Sequence, residues 1–260
     1  MHISLWVVAK QLIFGLKVRI ISIASSSLMN ATLCHRIVAQ LMNKVDLSLI
    51  LPAFNEGSTF EQSVSKILTQ LKQLKFSWEV IFVEDKSTDD TKAAIQKLVS
   101  SSKNIKAIYH PKNMGRGKSV SDGIKASRAL VCGYMDVDCE VSPSYIDLFY
   151  REIKKGSDLT VGKRCYERSW SSIQRVVASK IYAFIVKSVL GLPIEDTEAG
   201  YKFFNRTSIT KILPKVKDNY WFWDTEICAR SFYSGLRVSE IPVLFMRRPE
   251  KESTVRIFSD

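Results

Sequence analysis

Short apolar runs alternate along the chain with longer segments in which apolar residues recur at helical spacing. The runs are LSLIL (47–51), EVIFV (79–83), IKAIY (105–109), ALVCGYM (129–135) and LTVG (159–162). Each has the length of a buried strand. Strands that alternate with helices predict a mostly parallel central sheet with helices on both faces, which is an α/β fold.

The segments between these runs carry signals for helix starts. Ser58 and Glu61 have the spacing of a capping box, and they precede apolar residues at helical spacing. The later helices are expected to begin at Ser87 or Thr88, near Lys118, and at Ser142-Pro143.

Acidic residues follow the carboxyl ends of the predicted strands. Glu84-Asp85 ends one run, and Asp136 and Asp138 end another. In a parallel sheet these ends meet at one edge, where ligands bind. Acids also cap helices, and that explanation suits Asp89-Asp90. It does not suit both Asp136 and Asp138, because Pro143 places the next helix start too far downstream.

Asp136 and Asp138 stand one residue apart, so both carboxylates reach a single cation if the chain turns there. Hard oxygen ligands in a short loop suit Mg²⁺ or Mn²⁺ held together with a substrate phosphate. Such a metal offsets the charge on a leaving diphosphate. The histidines and cysteines share no metal spacing, so a zinc site is not expected.

The amino-acid composition limits the classes of binding partner that are expected. Lysine and arginine number 38 against 26 aspartates and glutamates, a formal net charge of +12. This balance favours anionic partners, namely nucleic acid, phosphorylated substrates or an anionic membrane surface. The five cysteines are odd in number and form no CxxC pair, which indicates reduced thiols in a cytosolic protein.

Residues 1–41 differ from the rest of the chain. They contain lysines and arginines but no acid, and their longest uncharged run, 20–35, falls short of the roughly 20 apolar residues that span a bilayer. Two interpretations stay open: a basic interfacial or transit-like segment, or a segment outside the fold if synthesis begins at Met42. Residues 42–260 are expected to form a single domain.

Seven motifs occur in a specific order. They are LILPAFNE, VEDKSTDDT, NMGRGKSVSDGIKAS, MDVDCE, VGKRC, DTEAGYKFF and WFWDTEI. Together they resemble glycosyltransferase family 2, with its nucleotide-diphospho-sugar (GT-A) fold, over residues 45–256. Within that family the chain is most similar to polyprenyl-phosphate (dolichyl-phosphate) mannosyl- and glucosyltransferases. It departs from the family pattern at Glu84, Lys86 and Ser119, where aspartate, glycine and alanine are usual.

The resemblance implies inverting transfer of a hexose from a GDP-mannose or UDP-glucose type donor to a polyprenyl or dolichyl phosphate. It implies a metal, Mg²⁺ or Mn²⁺, on Asp136 and Asp138, with Glu140 as third ligand. These aspartates, Arg164 and Asp196 form the implied catalytic group. The implied donor-binding residues are Pro52, Ala53, Phe54, Glu56, Asp85 and Lys118.

The implied acceptor-phosphate residues are Arg164, Arg175 and Ser179. Arg175 and Ser179 lie one helical turn apart, so both can reach one anion, and arginine has the fork geometry that suits phosphate. A lipid phosphate is already an anionic nucleophile, so the protein has only to align it and stabilise the leaving diphosphate. We therefore expect a peripheral protein on the cytoplasmic face of a membrane.

Two other functions stay open. A glycosyltransferase with a saccharide or other hydroxyl acceptor would need a general base, for which Asp196 or Asp224 could serve. A basic nucleic-acid-binding protein would explain the charge, but no recognition motif is present and acidic strand ends repel phosphate. GRGKS (115–119) is not a P-loop, because Lys112 stands where its first glycine is needed.

Overall fold

The computed structural model describes residues 45–166 and 188–246. Seven strands form one sheet in the order β3-β2-β1-β4-β6-β5-β7. Their bounds are β1 (Leu47–Ala53), β2 (Trp78–Glu84), β3 (Ile105–Tyr109), β4 (Val131–Met135), β5 (Leu159–Tyr166), β6 (Tyr201–Asn205) and β7 (Val238–Phe245).

Most neighbouring strands in this sheet are parallel. The pairs β3-β2, β2-β1, β1-β4 and β5-β7 are parallel, whereas β6 runs antiparallel to both β4 and β5. The predicted mostly parallel α/β sheet is confirmed. The carboxyl ends of β1, β2 and β4 therefore lie at one edge, which also brings their acidic loops together.

Six helices lie wholly within the described residues, and residues 188–190 are also helical. They are α1 (Phe60–Gln73), α2 (Thr91–Ser101), α3 (Arg116–Ala126), α4 (Ile146–Lys154), α5 (Arg206–Ile212) and α6 (Trp223–Tyr233). Short 3₁₀ turns precede α1 and α4 and follow α5.

The sheet is covered on both faces, as predicted. On β1, Leu49 and Leu51 pack into one hydrophobic cluster with side chains of α1 and α4. Ile50, on the other face of the strand, packs into a second cluster with Val120 and Ile124 of α3 and side chains of α5 and α6. Successive side chains of a strand point to opposite faces, so a single apolar run supplies both cores.

Two of the predicted helix starts are wrong in detail. Helix α1 begins after Thr59, and the N-cap makes no side-chain hydrogen bond, so Ser58 does not cap it. Helix α2 begins at Thr91. Its N-cap position is Asp90, not Ser87 or Thr88. The Ser87 hydroxyl accepts from the backbone N–H of Asn55 at 3.1 Å, and the backbone N–H of Thr88 donates to Asn55 Oδ1 at 2.8 Å. These bonds join the loops after β1 and β2 instead.

Several predictions fall on residues that the structure does not describe. These are the segment 1–41, the domain start at Met42, and the acceptor residues Arg175 and Ser179. Within the described ranges, no helix is both long enough and apolar enough to cross a bilayer.

Candidate active site

The loop before α3 is fixed by the acid that follows β2. Asp85 accepts hydrogen bonds from the backbone N–H groups of Met114 at 2.7 Å and Gly115 at 2.8 Å, and it lies 2.7 Å from the Nδ1 of His110. Gly115 has a φ of 95°, a conformation that glycine tolerates and L side chains avoid. The buried Asp85 carboxylate therefore positions the start of α3 at the carboxyl edge of the sheet.

Arg116, the first residue of α3, holds the first aspartate of the DxD pair. Its Nε lies 3.0 Å and its Nη2 2.8 Å from Asp136 Oδ1, and Nη2 lies 3.1 Å from Oδ2. Its Nη1 donates to Asp224 on α6. One guanidinium thus joins the acid after β4 to an acid that is far away in the sequence.

Gly200 leaves room for this pair. A Cβ atom at that position would lie 1.8 Å from Asp136 Oδ2 and 2.5 Å from Arg116 Nη2. The backbone N–H of Asp136 also donates to the carbonyl of Gly200 at 3.1 Å. The glycine in DTEAG is therefore required for the close approach of the loop before β6 to the DxD segment.

Asp224 is buried among cationic and phenolic groups. Lys202 of β6, itself fully buried, donates from Nζ to Asp224 Oδ1 at 2.5 Å and to the Ala199 carbonyl at 2.6 Å. Tyr134 of β4 donates its hydroxyl to the same carboxylate. Burial alone would raise the pKa of Asp224, but Arg116 and Lys202 hold it below its usual value. Asp224 is therefore an anion with its acceptor positions occupied.

The predicted metal site includes Asp136 and Asp138, which follow β4. Burial raises the pKa of Asp136, Arg116 opposes that rise, and the neighbouring carboxylate of Asp138 raises the pKa further. Arg116 already donates to both oxygens of Asp136, so a divalent cation would share that carboxylate with the guanidinium, and Asp138 would supply the second carboxylate. No group of three histidine, cysteine, aspartate or glutamate residues among the described ranges is arranged to hold a metal, so a site on the two aspartates would need oxygen ligands from a substrate.

Arg164 and Asp196 form a second ion pair near the carboxyl end of β5. Arg164 donates from Nε to Asp196 Oδ2 at 2.7 Å and from Nη2 to Oδ1 at 2.8 Å. The backbone N–H of Arg164 also donates to Oδ2 at 3.0 Å. Burial works to lower the pKa of Arg164, but the bonds to Asp196 raise it overall. This two-point contact fixes the plane of the guanidinium.

The predicted donor residues lie at the end of β1, in the loops after β1 and β2, and on α3. Pro52 and Ala53 are buried at the end of β1, and Phe54 is partly exposed beyond it. Lys86, where the family usually has glycine, is exposed and has a φ of 65°. Lys118 pairs with Asp122 one helical turn later. The donor assignment of these residues stays a prediction.

Sequence reasoning missed three residues of this site: Arg116, Tyr134 and Lys202. Arg116 lies within NMGRGKSVSDGIKAS, a motif of the resemblance to which no role for this arginine was attached. Tyr134 and Lys202 lie within strands, where nothing in the local pattern distinguishes them from core or edge positions. The signal that was available is the presence of acids in two motifs, MDVD and WFWDTE, because a carboxylate that becomes buried needs a cation as its partner.

A model of the family described as Glycosyl transferase family 2 matches residues 48–213. The glycosyltransferase AglD of Haloferax volcanii is 29% identical over 204 residues, which cover 76% of this chain and 33% of AglD. The dolichyl-phosphate beta-glucosyltransferase ALG5A of Trichomonas vaginalis is 28% identical over 76% of this chain and 65% of its own length. A dolichyl-phosphate beta-glucosyltransferase of Saccharomyces cerevisiae is 25% identical over 77% of this chain and 66% of its own length. The chain thus spans a third of AglD and slightly less than two thirds of the other two relatives.

The fold is similar to that of glucosyl-3-phosphoglycerate synthase from Mycobacterium tuberculosis. Its crystal structure with uridine diphosphate has a TM-score of 0.60 at 18% identity, covering 83% of this chain and 76% of that chain. Another crystal structure of the same synthase, with Mn²⁺, UDP-glucose and phosphoglyceric acid, has a TM-score of 0.59. With the family match, this similarity confirms the predicted GT-A arrangement of the sheet and its helices.

Proposed function

The chain belongs to glycosyltransferase family 2, and we propose that it transfers a glucosyl group from a nucleotide-diphospho-glucose to a polyprenyl phosphate of the dolichyl type. Glucose is favoured over mannose because the relatives from Trichomonas and Saccharomyces are named as dolichyl-phosphate beta-glucosyltransferases. Those names also support the lipid phosphate as acceptor.

One observation carries the choice of a phosphate over a hydroxyl acceptor. A hydroxyl acceptor needs a general base, and the two candidates, Asp196 and Asp224, are both bound to cations. Asp196 accepts two bonds from the Arg164 guanidinium, and Asp224 accepts from Lys202 and Arg116. Arg116 and Lys202 hold the pKa of Asp224 below its usual value, and both oxygens of Asp196 are already engaged by Arg164. A lipid phosphate is an anion at neutral pH and needs no such base.

Arg164 is the described residue proposed to contact the acceptor phosphate. A guanidinium has five N–H donors, of which Asp196 takes two, so donors remain for a phosphate oxygen. Asp196 then acts as the residue that orients Arg164. Arg175 and Ser179 complete the proposed acceptor site from outside the described residues.

Asp136 and Asp138 are the residues that would hold Mg²⁺ or Mn²⁺ beside the donor. When bound, the metal supplies positive charge to the diphosphate that leaves. In the transfer, an oxygen of the lipid phosphate forms a bond to the sugar C1 while the bond from C1 to the diphosphate oxygen breaks. The electron pair of that bond departs with the nucleoside diphosphate. This single displacement inverts the anomeric centre.

The proposal places the protein at the cytoplasmic face of a membrane as a peripheral enzyme, because its acceptor is a lipid. It does not include a nucleic-acid partner, since the acidic side chains at the edge of the sheet would repel phosphate backbones. In this proposal the net charge of +12 serves to attract the lipid phosphate and anionic lipids.

The proposal is tested by a donor screen against one short-chain isoprenyl phosphate. Labelled UDP-glucose, GDP-mannose and UDP-N-acetylglucosamine are each incubated with the full chain and Mn²⁺. The expected result is label in the isoprenyl product from UDP-glucose. Transfer only from GDP-mannose would refute the sugar assignment, and label only on added saccharides would refute the lipid-phosphate acceptor.

A further inference from the structure

Three exposed aromatic residues stand together immediately before α6. Tyr220 is 53% exposed, Trp221 37% and Phe222 50%. With Asn219 they form the aromatic loop (219–222). Aromatic side chains bury large apolar areas when they pack, so three consecutive rings left in water are costly unless another surface covers them.

The backbone of the aromatic loop is held in place from both sides. Asp218 Oδ1 accepts hydrogen bonds from the N–H groups of Tyr220 at 2.8 Å and Trp223 at 2.9 Å. Glu226 Oε2 accepts from the N–H groups of Lys217 at 2.9 Å and Asp218 at 2.8 Å. The exposed rings are therefore presented on a fixed backbone. A binding surface that is ordered in advance loses less conformational entropy when it binds.

The aromatic loop rests directly on the candidate active site. The carbonyl of Asn219 accepts from the N–H of Lys118 at 2.9 Å. The Trp221 ring centroid lies 5.3 Å from Cζ of Arg116, the same arginine that holds Asp136. Whatever covers the rings therefore lies beside the site where the acceptor must arrive.

The chain leading to the aromatic loop is basic. Lys211, Lys215 and Lys217 are all exposed, while the carboxylates of Asp218 and Glu226 accept backbone hydrogen bonds within the protein. Tyrosine and tryptophan rings beside lysines are the combination found where proteins meet the interface of a membrane. Each lysine near the surface strengthens binding to anionic headgroups about fivefold.

We propose that the aromatic loop, with Lys215 and Lys217, contacts an anionic membrane surface and holds the candidate active site against it. The inference rests on the proposed function, since a lipid phosphate has its reacting group at the height of the headgroups. The rings enter the interface, the lysines bind anionic headgroups, and Arg116 and Asp136 lie directly behind the loop. The acceptor then reaches the sugar without leaving the bilayer.

The test measures binding of the full chain to vesicles of phosphatidylcholine with about a third phosphatidylserine. Phe222→Ser should lower the vesicle partition coefficient about tenfold, the loss expected when one partly buried aromatic ring is removed. Serine is a favoured residue at the helix N-cap, which Phe222 occupies, so α6 should stay intact. Lys215→Gln/Lys217→Gln should lower binding by about thirtyfold on these vesicles and not on neutral ones.

Matched controls lie on the opposite face of the sheet. Leu148→Ser on α4 removes a side chain that is 44% exposed, and Lys72→Gln/Lys75→Gln removes the same charge from the end of α1. Neither should change binding. Equal losses in the controls would mean that net charge and hydrophobicity act without a defined surface, and the proposal would be overturned.

Two further outcomes also overturn it. One is unchanged vesicle binding in the Phe222 and lysine variants. The other is an effect of Phe222→Ser on the oligomeric state in sedimentation, which would assign the loop to a second copy of the chain. Transfer to a soluble short-chain isoprenyl phosphate separates the two claims. The Phe222→Ser enzyme should retain this transfer activity. If the unmodified enzyme lacks the activity, the proposed function is refuted instead.

Discussion

Replacing Arg164 by methionine tests whether this residue contacts the acceptor phosphate or only stabilises the fold through its ion pair with Asp196. The change keeps an unbranched side chain and removes the guanidinium that donates to Asp196 at 2.7 and 2.8 Å. The two side chains are 17% and 13% exposed, so the carboxylate is left with little water. Its remaining partner in the pair is the backbone N–H of residue 164 at 3.0 Å.

The size of the stability loss follows from that geometry. Removing one partner of a buried ion pair costs about 3–5 kcal/mol, and the retained backbone hydrogen bond reduces this to about 2–3 kcal/mol. For a domain of this size the melting temperature should fall by about 5–10 °C. Urea unfolding of Arg164→Met and the unmodified chain measures the difference.

The loss of activity in Arg164→Met should be specific to the acceptor. A charge-assisted contact to the acceptor phosphate is worth about 1.5–3 kcal/mol, so kcat/KM for an isoprenyl phosphate should fall about 10- to 150-fold. Donor affinity, measured by calorimetry with UDP and Mn²⁺, should stay unchanged. Arg151→Met, which breaks an exposed ion pair with Asp147, is the matched control and should change neither quantity.

The double variant Arg164→Met/Asp196→Asn decides between the two roles. It removes the unpaired charge, so most of the lost stability should return, while kcat/KM should stay low because the phosphate contact is still absent. If activity returns together with stability, Arg164 acts only through the fold. That result, or full activity of Arg164→Met, would refute the acceptor assignment.

Four other changes have defined outcomes. Asp138→Asn should weaken Mn²⁺ binding at least about tenfold by electron paramagnetic resonance without changing the unfolding transition, and unchanged affinity would contradict the metal assignment. Lys86→Gly should raise the free energy of unfolding by about 0.5–1 kcal/mol, because the φ of 65° strains lysine and not glycine; a loss of stability would show that the lysine side chain makes a compensating contact. Glu79→Gln should lower the free energy of unfolding by about 2 kcal/mol at pH 7. Burial works to raise the pKa of the Glu79 carboxyl, but hydrogen bonds from a serine, a lysine and an arginine hold this pKa below its usual value of 4.5. That contribution is present above pH 4.5 and is lost as the pH falls below it, so the two unfolding curves should converge in acid, and parallel curves would contradict the assignment. A chain that starts at Met42 should keep its melting temperature, and a collapse of folding would place the domain boundary earlier.

The central strands could be predicted because they are buried on both faces. All five predicted runs coincide with strands, and IKAIY matches β3 at both ends. The strands β6 and β7 were missed for physical reasons. Lys202 interrupts the apolar run of β6, and its buried ammonium is tolerated only because Asp224 lies beside it. Pro242 lies in β7, and β7 is an edge strand, where a missing backbone N–H does little harm.

The acids of the candidate site could be found from sequence, but their partners could not. Asp136 and Asp85 follow strands, and the loops after parallel strands share one edge of the sheet. Arg116 and Asp224 are separated by 108 positions, and only the packing of α3 and α6 on the same face brings them together. Local spacing carries no information about such a pair. The start of α2 was misplaced because Ser87 and Thr88 bond to Asn55 in the loop after β1 rather than along their own helix.

The central claim is that the hexose is transferred to a phosphate oxygen of a lipid. Phosphorus-31 nuclear magnetic resonance of the reaction between UDP-glucose and an isoprenyl monophosphate tests it most directly. The account predicts that the monoester resonance is replaced by a phosphodiester resonance, with proton coupling to the sugar C1 position and inverted anomeric configuration. A monoester signal that persists while glucose appears on a hydroxyl acceptor would contradict it.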